Sequence, residues 1–395
     1  MAQSREVVVL SGVRTAVGKY GGGLSSVPPT ELGAKVVAEA IRRAEVDPGS
    51  VGHVVFGNVI HTDRHDMYLA RVCGVKGGLP VQTPALTLNR LCGSGLQSIV
   101  SASQSIMLGD TDAAVAGGAE SMSRAPYWLP TARWGQRMGD GDIVDAMLGG
   151  LNDPFDDCHM GVTAENVAED WGVSREDQDA LAVQSHQRAA HATEQGYFSE
   201  QILPIEVEGK KETTTVDTDE HIRPDVSQEK MAKLPAAFAK DGTVTAGNAA
   251  GINDAAAAVV LMERDAAEAL GKQPMGRLVA YSHAGVEPRI MGTGPIPAIR
   301  TVLERANLKV DDLDVIELNE AFAAQALAVI RDVGLPNEKT NPNGSGVSLG
   351  HPIGATGTIL TVKALHELQR TQGRYALVTM CIGGGQGIAA IFERL

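Results

Sequence analysis

Two thiols and one imidazole stand in this chain where a nucleophile and its base are needed. Cys92 follows the strand-like run PALTLNRL and precedes apolar residues at Leu96, Ile99, Val100, Ile106 and Met107, with Gly109 closing the pattern. Those spacings predict a helix buried on one face, with the thiol at its N-terminus. Unpaired backbone N–H groups and the positive end of the helix dipole favour a thiolate there, and the thiolate is the reactive form. Gly93 and Gly95 are expected to let a substrate approach the backbone. A free cysteine is otherwise a small buried hydrophobe, which is the reading for Cys73 and Cys158.

His351 opens a second pattern of the same kind. Pro352 suits the first helical position, Ile359, Leu360, Val362, Leu365 and Leu368 supply a buried face, and Gly373 ends it. Cys381 ends the strand-like run Tyr375 to Met380 and opens Ile382-Gly383-Gly384-Gly385-Gln386-Gly387. Asn319 lies between the strand-like Val315 to Leu318 and the apolar stretch Ala321 to Val333. Asn at such a junction is either an ordinary N-cap or a holder of water beside a developing oxyanion. A thiol with an imidazole partner is the arrangement of covalent catalysis.

The elements that carry these residues come in two copies. AEVDPGSVGHVVF at Ala44 to Phe56 matches ANLKVDDLDVIEL at Ala306 to Leu318, and LCGSG around Cys92 matches LGHPIGATG around His351, each at an offset of about 260 residues. Glycines 117 and 118 are echoed by 383 and 384 at a similar offset. In the second copy the strand GIAAIFERL follows its glycines directly, whereas its likeness Asp254 to Arg264 arrives much later. An insertion is therefore expected in the first copy. Short β-branched runs alternating with amphipathic helices predict α/β layers in each copy. Twin units facing each other would bring the starts of the two helices, and so Cys92 and His351, into one crevice. The insertion, from about 120 to 245, contains a predicted helix at Ser174 to Gln195 with a capping box, then a turn-rich polar segment, and reads as a cap over the site.

Composition excludes several other classes. The 395 residues carry 34 Lys+Arg against 48 Asp+Glu, a formal net charge of −14, which is no footprint for nucleic acid. Four cysteines without CxxC spacing suggest neither zinc nor a disulfide framework, and no signal-peptide pattern precedes the strand-like Val7 to Leu10. The longest uncharged run, Tyr375 to Phe392, is broken by four glycines and a glutamine, so no membrane span is expected. A soluble, cytoplasmic protein is the expectation. His61, Asp63, His65 and Asp66 lack a well-placed further ligand and read as a solvated loop rather than a metal site. The Gly-Lys pair at Gly18 is followed by Tyr, not by Ser or Thr, so no phosphate loop is present, and GxSxG is absent.

NRLCGSGLQS at Asn89 to Ser98, NEAFAAQ at Asn319 to Gln325, GHPIGATG at Gly350 to Gly357 and CIGGGQG at Cys381 to Gly387 resemble the active-site motifs of the thiolases. The similarity extends over the whole chain, including HMGVTAE from His159 and TAGNAAGINDAAA from Thr245, and is strongest to short-chain acetyl-CoA acetyltransferases and β-ketothiolases. It implies a five-layered αβαβα fold of two duplicated halves. The N-terminal half would be 1–119 completed by 246–271, a loop domain binding coenzyme A would be inserted at 120–245, and the C-terminal half would be 272–395. It further implies a homotetramer built as a dimer of dimers, with acyl-CoA and coenzyme A as substrates or products and no tightly bound cofactor.

By the same resemblance, Cys92 would be acylated and His351 would activate it. His351 with a water on Asn319 would form one oxyanion hole, the N–H groups of Cys92 and Gly383 a second, and Cys381 would move the α-carbon proton. Arg223 would lie against adenine, with Leu234, Phe238, Ala246, His159 and Met160 along the pantetheine and acyl path, and Met291 and Phe322 bounding the acyl pocket. Lys210, Lys211, Arg223, Lys230, Lys233 and Lys240 would offset the acidic body around a polyanionic ligand. One departure is visible: Ala250 stands where the family commonly has serine. The competing readings are a ketoacyl-synthase-like condensing enzyme, which has His or Asn in place of Cys381, and a non-catalytic acyl-CoA carrier of thiolase fold.

Overall fold

The computed structural model describes residues 5–209 and 211–395, so Lys210 lies outside the described residues. Its centre is an eleven-stranded sheet. Nine strands form the main path: β1 (Val7–Thr15), β2 (His53–Gly57), β3 (Ala85–Leu88), β4 (Ala113–Ser121), β5 (Asn253–Glu263), β6 (Gly276–Gly285), β7 (Val315–Leu318), β8 (Tyr375–Ile382) and β9 (Gln386–Glu393). They lie in the order β7-β8-β9-β6-β1-β5-β4-β2-β3. The duplication is visible in strand directions. β1/β5 and β5/β4 are antiparallel while β4/β2 and β2/β3 are parallel. β6/β9 and β9/β8 are antiparallel, β8/β7 is parallel, and β7 bridges in parallel to Thr340 where the first copy has β3. The halves join where β1 meets β6 through only two residue pairs, Val8 with Arg277 and Val9 with Gly276.

Alternate residues of each strand face opposite ways, and this sorts the core into layers. Val8, Val54, Phe56, Val115 and Ala258 pack beneath α1 (Pro29–Ala44) and α2 (Leu69–Lys76). Val7, Val9, Val55, Ala114 and Val259 face the other way, onto α3 (Ser94–Leu108) and α8 (Thr356–Thr371), whose far side meets Val378, Met380, Ala390 and Phe392 of the second half. Leu377, Ala389 and Ile391 then pack on α6 (Pro295–Ala306) and α7 (Ala323–Val333). The result is the five-layered αβαβα arrangement, with α3 and α8 shared at the centre. Those two helices approach closely because of glycine. A Cβ at Gly95 would lie 2.7 Å from the Thr358 nitrogen, one at Gly357 would collide with Leu96, and Thr358 Oγ1 donates to Gly95 O at 2.9 Å. Gly93 likewise faces Ile382, at 2.6 Å from a built Cβ. Both glycines therefore make room for the twin half, not for substrate as their spacing suggested.

The chain between β4 and β5 includes α4 (Met160–Asp170) and α5 (Arg175–Glu194). Ser174 caps α5 by accepting from Asp177 N at 3.1 Å, which is one limb of the expected capping box. The polar segment after it contains a small hairpin, Ile205–Glu208 with Thr213–Val216. Arg14, fully buried, ties this region down through a two-pronged pair with Asp219 at 2.7 and 2.9 Å. No described helix is long and apolar enough to cross a membrane, and Tyr375 to Phe392 forms two strands. Asp66 differs from its solvated-loop expectation: it is fully buried and accepts from Thr62 N and Oγ1. A polar side chain that far from water must satisfy local donors, which only the folded turn supplies.

Candidate active site

A cleft of about 700 Å³ runs between the inserted region and the two halves, and Cys92, His351, Cys381 and Gly383 line it together. Each arrives at the end of a central element. Cys92 stands two residues before α3, after Leu91 with φ +46°, so it precedes the helix rather than opening it. Cys381 is next to last in β8, and Gly383 opens the tight turn to β9, where Gly384 and Gly385 have φ of +78° and +85°. His351 precedes a turn in which Ala355 N and Thr356 N both donate to Pro352 O. α8 therefore starts at Thr356, and Pro352 is not its first residue as the sequence pattern suggested. Backbone donors satisfied in the turn replace the missing helical ones.

The imidazole is held in one tautomer. Thr356 Oγ1 donates its single proton to Pro352 O at 2.9 Å, so it accepts from His351 Nδ1–H at 2.7 Å. Nε2 is left with its lone pair, the state a base needs. Burial lowers the His351 pKa to about 4, so the ring is neutral at physiological pH. Asn319 is buried behind this histidine and outside the cleft lining. Its Nδ2 lies 3.4 Å from both ring nitrogens, which puts the amide over the imidazole face rather than in line with either lone pair. Asn319 Oδ1 has no hydrogen-bond partner among the described residues, and α7 begins four residues further on, so this side chain is no N-cap.

The thiols are not poised as thiolates. Burial pushes Cys92 up to about 11, against the pull of the Gly383 N–H and of its own backbone N–H. The helix start was expected to favour the anion, but loss of water outweighs it. Cys381 is raised as well, first by burial and then by the charge that Cys92 would carry. It lies in an apolar cluster with Met160, Met291, Ala321 and Phe322.

The remaining candidates divide. His159, Met160, Arg223, Phe238, Ala246, Ala250, Met291 and Phe322 line the cleft. Leu234 does not. It packs against Met231 and Val347 and beside Gly247, because its strand-poor segment turns it toward α5. His159 stacks on Phe238 with centroids 4.7 Å apart, and Phe238 meets Phe322 edge-on at 6.2 Å, making one aromatic wall. His159 Nδ1 accepts from Gly161 N at 3.0 Å, which leaves its proton on Nε2. The Ala250 N–H is spent on Ala321 O at 2.9 Å.

Two features were missed. Lys19 and Tyr20 stand at the cleft mouth because Gly18–Lys19 pairs antiparallel with Asn253 and Asp254 of β5. The Gly-Lys pair had been read only as a failed phosphate loop, and no local pattern marks its partner. Glu120, next to last in β4, is fully buried and takes four hydrogen bonds near the site. Its sequence signal was weak, an acid among small residues.

The thiolase N-terminal domain profile matches residues 7–265 and the thiolase C-terminal domain profile 272–394. The chain is 65% identical to beta-ketothiolase BktB of Cupriavidus necator over 99% of its own length and all of that protein's. It is 48% identical to an acetyl-CoA acetyltransferase of Pseudomonas aeruginosa, over 99% of this chain and 100% of the other. The crystal structure of the Bacillus anthracis acetyl-CoA acetyltransferase superposes with a TM-score of 0.98 at 45% identity, covering both chains fully. Human mitochondrial 3-ketoacyl-CoA thiolase in complex with CoA gives 0.96 at 44%, covering 100% of this chain and 99% of that one. With profiles, relatives and fold in agreement over its whole length, the chain belongs to the thiolase family.

Proposed function

We propose that this thiolase, an acyltransferase, joins two acetyl-CoA to acetoacetyl-CoA and cleaves short 3-ketoacyl-CoA with coenzyme A through an acyl group carried on Cys92. The observation that carries the reading is the convergence of two thiols and a δ-protonated imidazole on one cleft. His351 Nε2 takes the Cys92 proton as sulfur attacks the thioester carbonyl. The displaced coenzyme A thiolate takes its proton from Cys381, or from water where that thiol is absent, so Cys381 is left as the thiolate and the Cys92 proton stays on His351. Charge on the carbonyl oxygen is met by the Cys92 and Gly383 N–H groups, which cost little reorganisation because the turn before α3 holds the first and the β8–β9 turn the second.

In the second half-reaction the Cys381 thiolate removes a proton from the α-carbon of the incoming acetyl-CoA, and the carbanion attacks the Cys92 thioester, expelling the Cys92 sulfur, which recovers its proton from His351. His351, now carrying the Cys92 proton on Nε2, and a water on the free Asn319 Oδ1 donate to the enolate oxygen and stabilise it. In reverse, a thiol kept neutral by burial donates that proton to the leaving enolate. Retention of Cys381 argues against a ketoacyl synthase, and the intact set of reactive groups argues against a mere carrier.

The segment 120–245 acts as the loop domain for coenzyme A, with Lys19 joining Arg223 at the cleft mouth to meet phosphates. Ala250 offers no hydroxyl to the pantetheine arm. A homotetramer is supported by the run of exposed apolar residues before α4, where Trp134 is 88% and Met138 94% exposed, a patch that a lone acidic subunit would leave in water. Four free cysteines, two of them in one cleft, suit the reducing cytoplasm. The test is intact-protein mass after brief exposure to acetyl-CoA. One acetyl group is expected on the wild type and none on Cys92→Ala; acetylation persisting in the variant refutes the assignment.

A further inference from the structure

Glu120 has no place in the chemistry above, yet it is the buried carboxylate on which both halves converge. Its Oε1 accepts from Ile60 N at 3.0 Å and Asn58 Nδ2 at 3.2 Å. Its Oε2 accepts from Val59 N at 3.0 Å and Gly354 N at 2.8 Å. Asn58, Val59 and Ile60 follow β2 of the first half, whereas Gly354 lies three residues after His351 in the second. All four partners are donors, so the site is built for a carboxylate. Burial opposes that charge and raises the pKa to about 8, while the N–H groups of Ile60, Val59 and Gly354 draw it down.

Glycine makes the seat possible. A side chain at Gly118 would strike Gly354 O, and a Cβ at Gly57 would lie 2.8 Å from the same oxygen. The loop therefore rests directly on the ends of β2 and β4. At its other end, His351 N donates to Asn253 Oδ1 at 2.9 Å, and Asn253 Nδ2 donates to Gly18 O.

We propose that Glu120 is a positioning residue: it pins the His351 loop to the first half and so fixes the imidazole against the Cys92 thiol. This rests on Cys92 as nucleophile and His351 as its base. Glu120→Gln keeps shape but turns an NH₂ toward N–H donors, which releases the loop. Above about pH 8, where Glu120 is ionised, removing its negative charge near Cys92 also makes the thiolate easier to form, since that charge raises the thiol. Positioning and charge thus predict opposite signs.

Single-turnover acetylation of Cys92 by acetyl-CoA, and its alkylation by iodoacetamide followed on the Cys92 peptide, separate them. In Glu120→Gln acetylation should slow by at least about tenfold, a misplacement of ~1 Å costing up to ~100-fold. Alkylation should stay equal or rise, and the KM for coenzyme A should stay within about twofold, as uniform binding is untouched. Gly354→Ala keeps the charge but puts a Cβ 2.5 Å from Glu120 Oε2, and should show the same acetylation loss; it decides the matter alone if the first variant does not fold. Wild-type acetylation rates in both variants, or acetylation and alkylation falling in parallel in both, would overturn the proposal. A wild type that takes no acetyl on Cys92 would instead overturn the nucleophile reading beneath it.

Discussion

At the scale of single residues, the site stores its reactive groups uncharged. Cys92 pushed up to about 11 and His351 down to about 4 mean that a thiolate–imidazolium pair is uphill in the free protein. In the proposed mechanism charge therefore forms mainly as the oxyanion forms, when the Gly383 N–H can serve it. Because the thiol pKa is raised, the thiolate fraction grows about tenfold per pH unit throughout the neutral range. Iodoacetamide alkylation of Cys92 should rise from pH 7 to pH 9 without a plateau, and a plateau by pH 8 would contradict a buried neutral thiol. Cys381→Ser should still become acetylated on Cys92 but lose thiolysis and condensation by about two orders of magnitude or more, because only carbon–carbon bond making needs its proton. Intact mass and a thiolysis assay on one sample read both halves of that expectation.

Elements explain why those residues meet. The β8–β9 turn aims the Gly383 N–H, and it closes because Gly384 and Gly385 take left-handed backbone. Gly385→Ala should cost at least ~1 kcal/mol from its φ alone. A new Cβ would also press on Val286 O and sit 2.9 Å from Pro288 N. A lowered melting temperature together with slower acetylation is expected, and an unchanged acetylation rate would detach the turn from the oxyanion site. The proposed acyl pocket is walled by α4 and the segment before α6, which bring Met160 and Met291 beside Phe322. Methionine is adaptable, and each accommodated methylene contributes up to about 0.8 kcal/mol. Acetoacetyl-CoA and 3-ketopentanoyl-CoA should have comparable kcat/KM, with a ten-carbon substrate much poorer; equal values for the ten-carbon substrate would refute a closed short pocket.

On the scale of the whole molecule, two copies of one α/β unit share the α3/α8 layer, so the crevice exists only where both are folded. Neither half alone contains Cys92 and His351 together. The exposed apolar run before α4 is the face through which the proposed tetramer would form. Trp134→Asp should lower the solution mass from four chains to two while leaving Cys92 acetylation in place, as measured by light scattering and intact mass. A variant that stays tetrameric would remove that run from the interface.

Local pattern alone disclosed the duplication, the helices after Cys92 and His351, the strand before Cys381, and through the repeat the meeting of Cys92 with His351. These are written in periodicities of 2 and 3.6 and in a repeat offset, which depend on neighbours along the chain. The fold decided what neighbours in space impose. Thr356 selects the tautomer of His351, Gly95 and Gly357 serve helix contact rather than substrate, Leu234 turns away from the cleft, and Lys19 reaches its mouth. The sign of the Cys92 shift belongs here too. A helix-start argument counts the few N–H groups nearest in sequence, whereas desolvation sums every atom that packing brings around the sulfur, and those atoms come from both halves and the insertion between them.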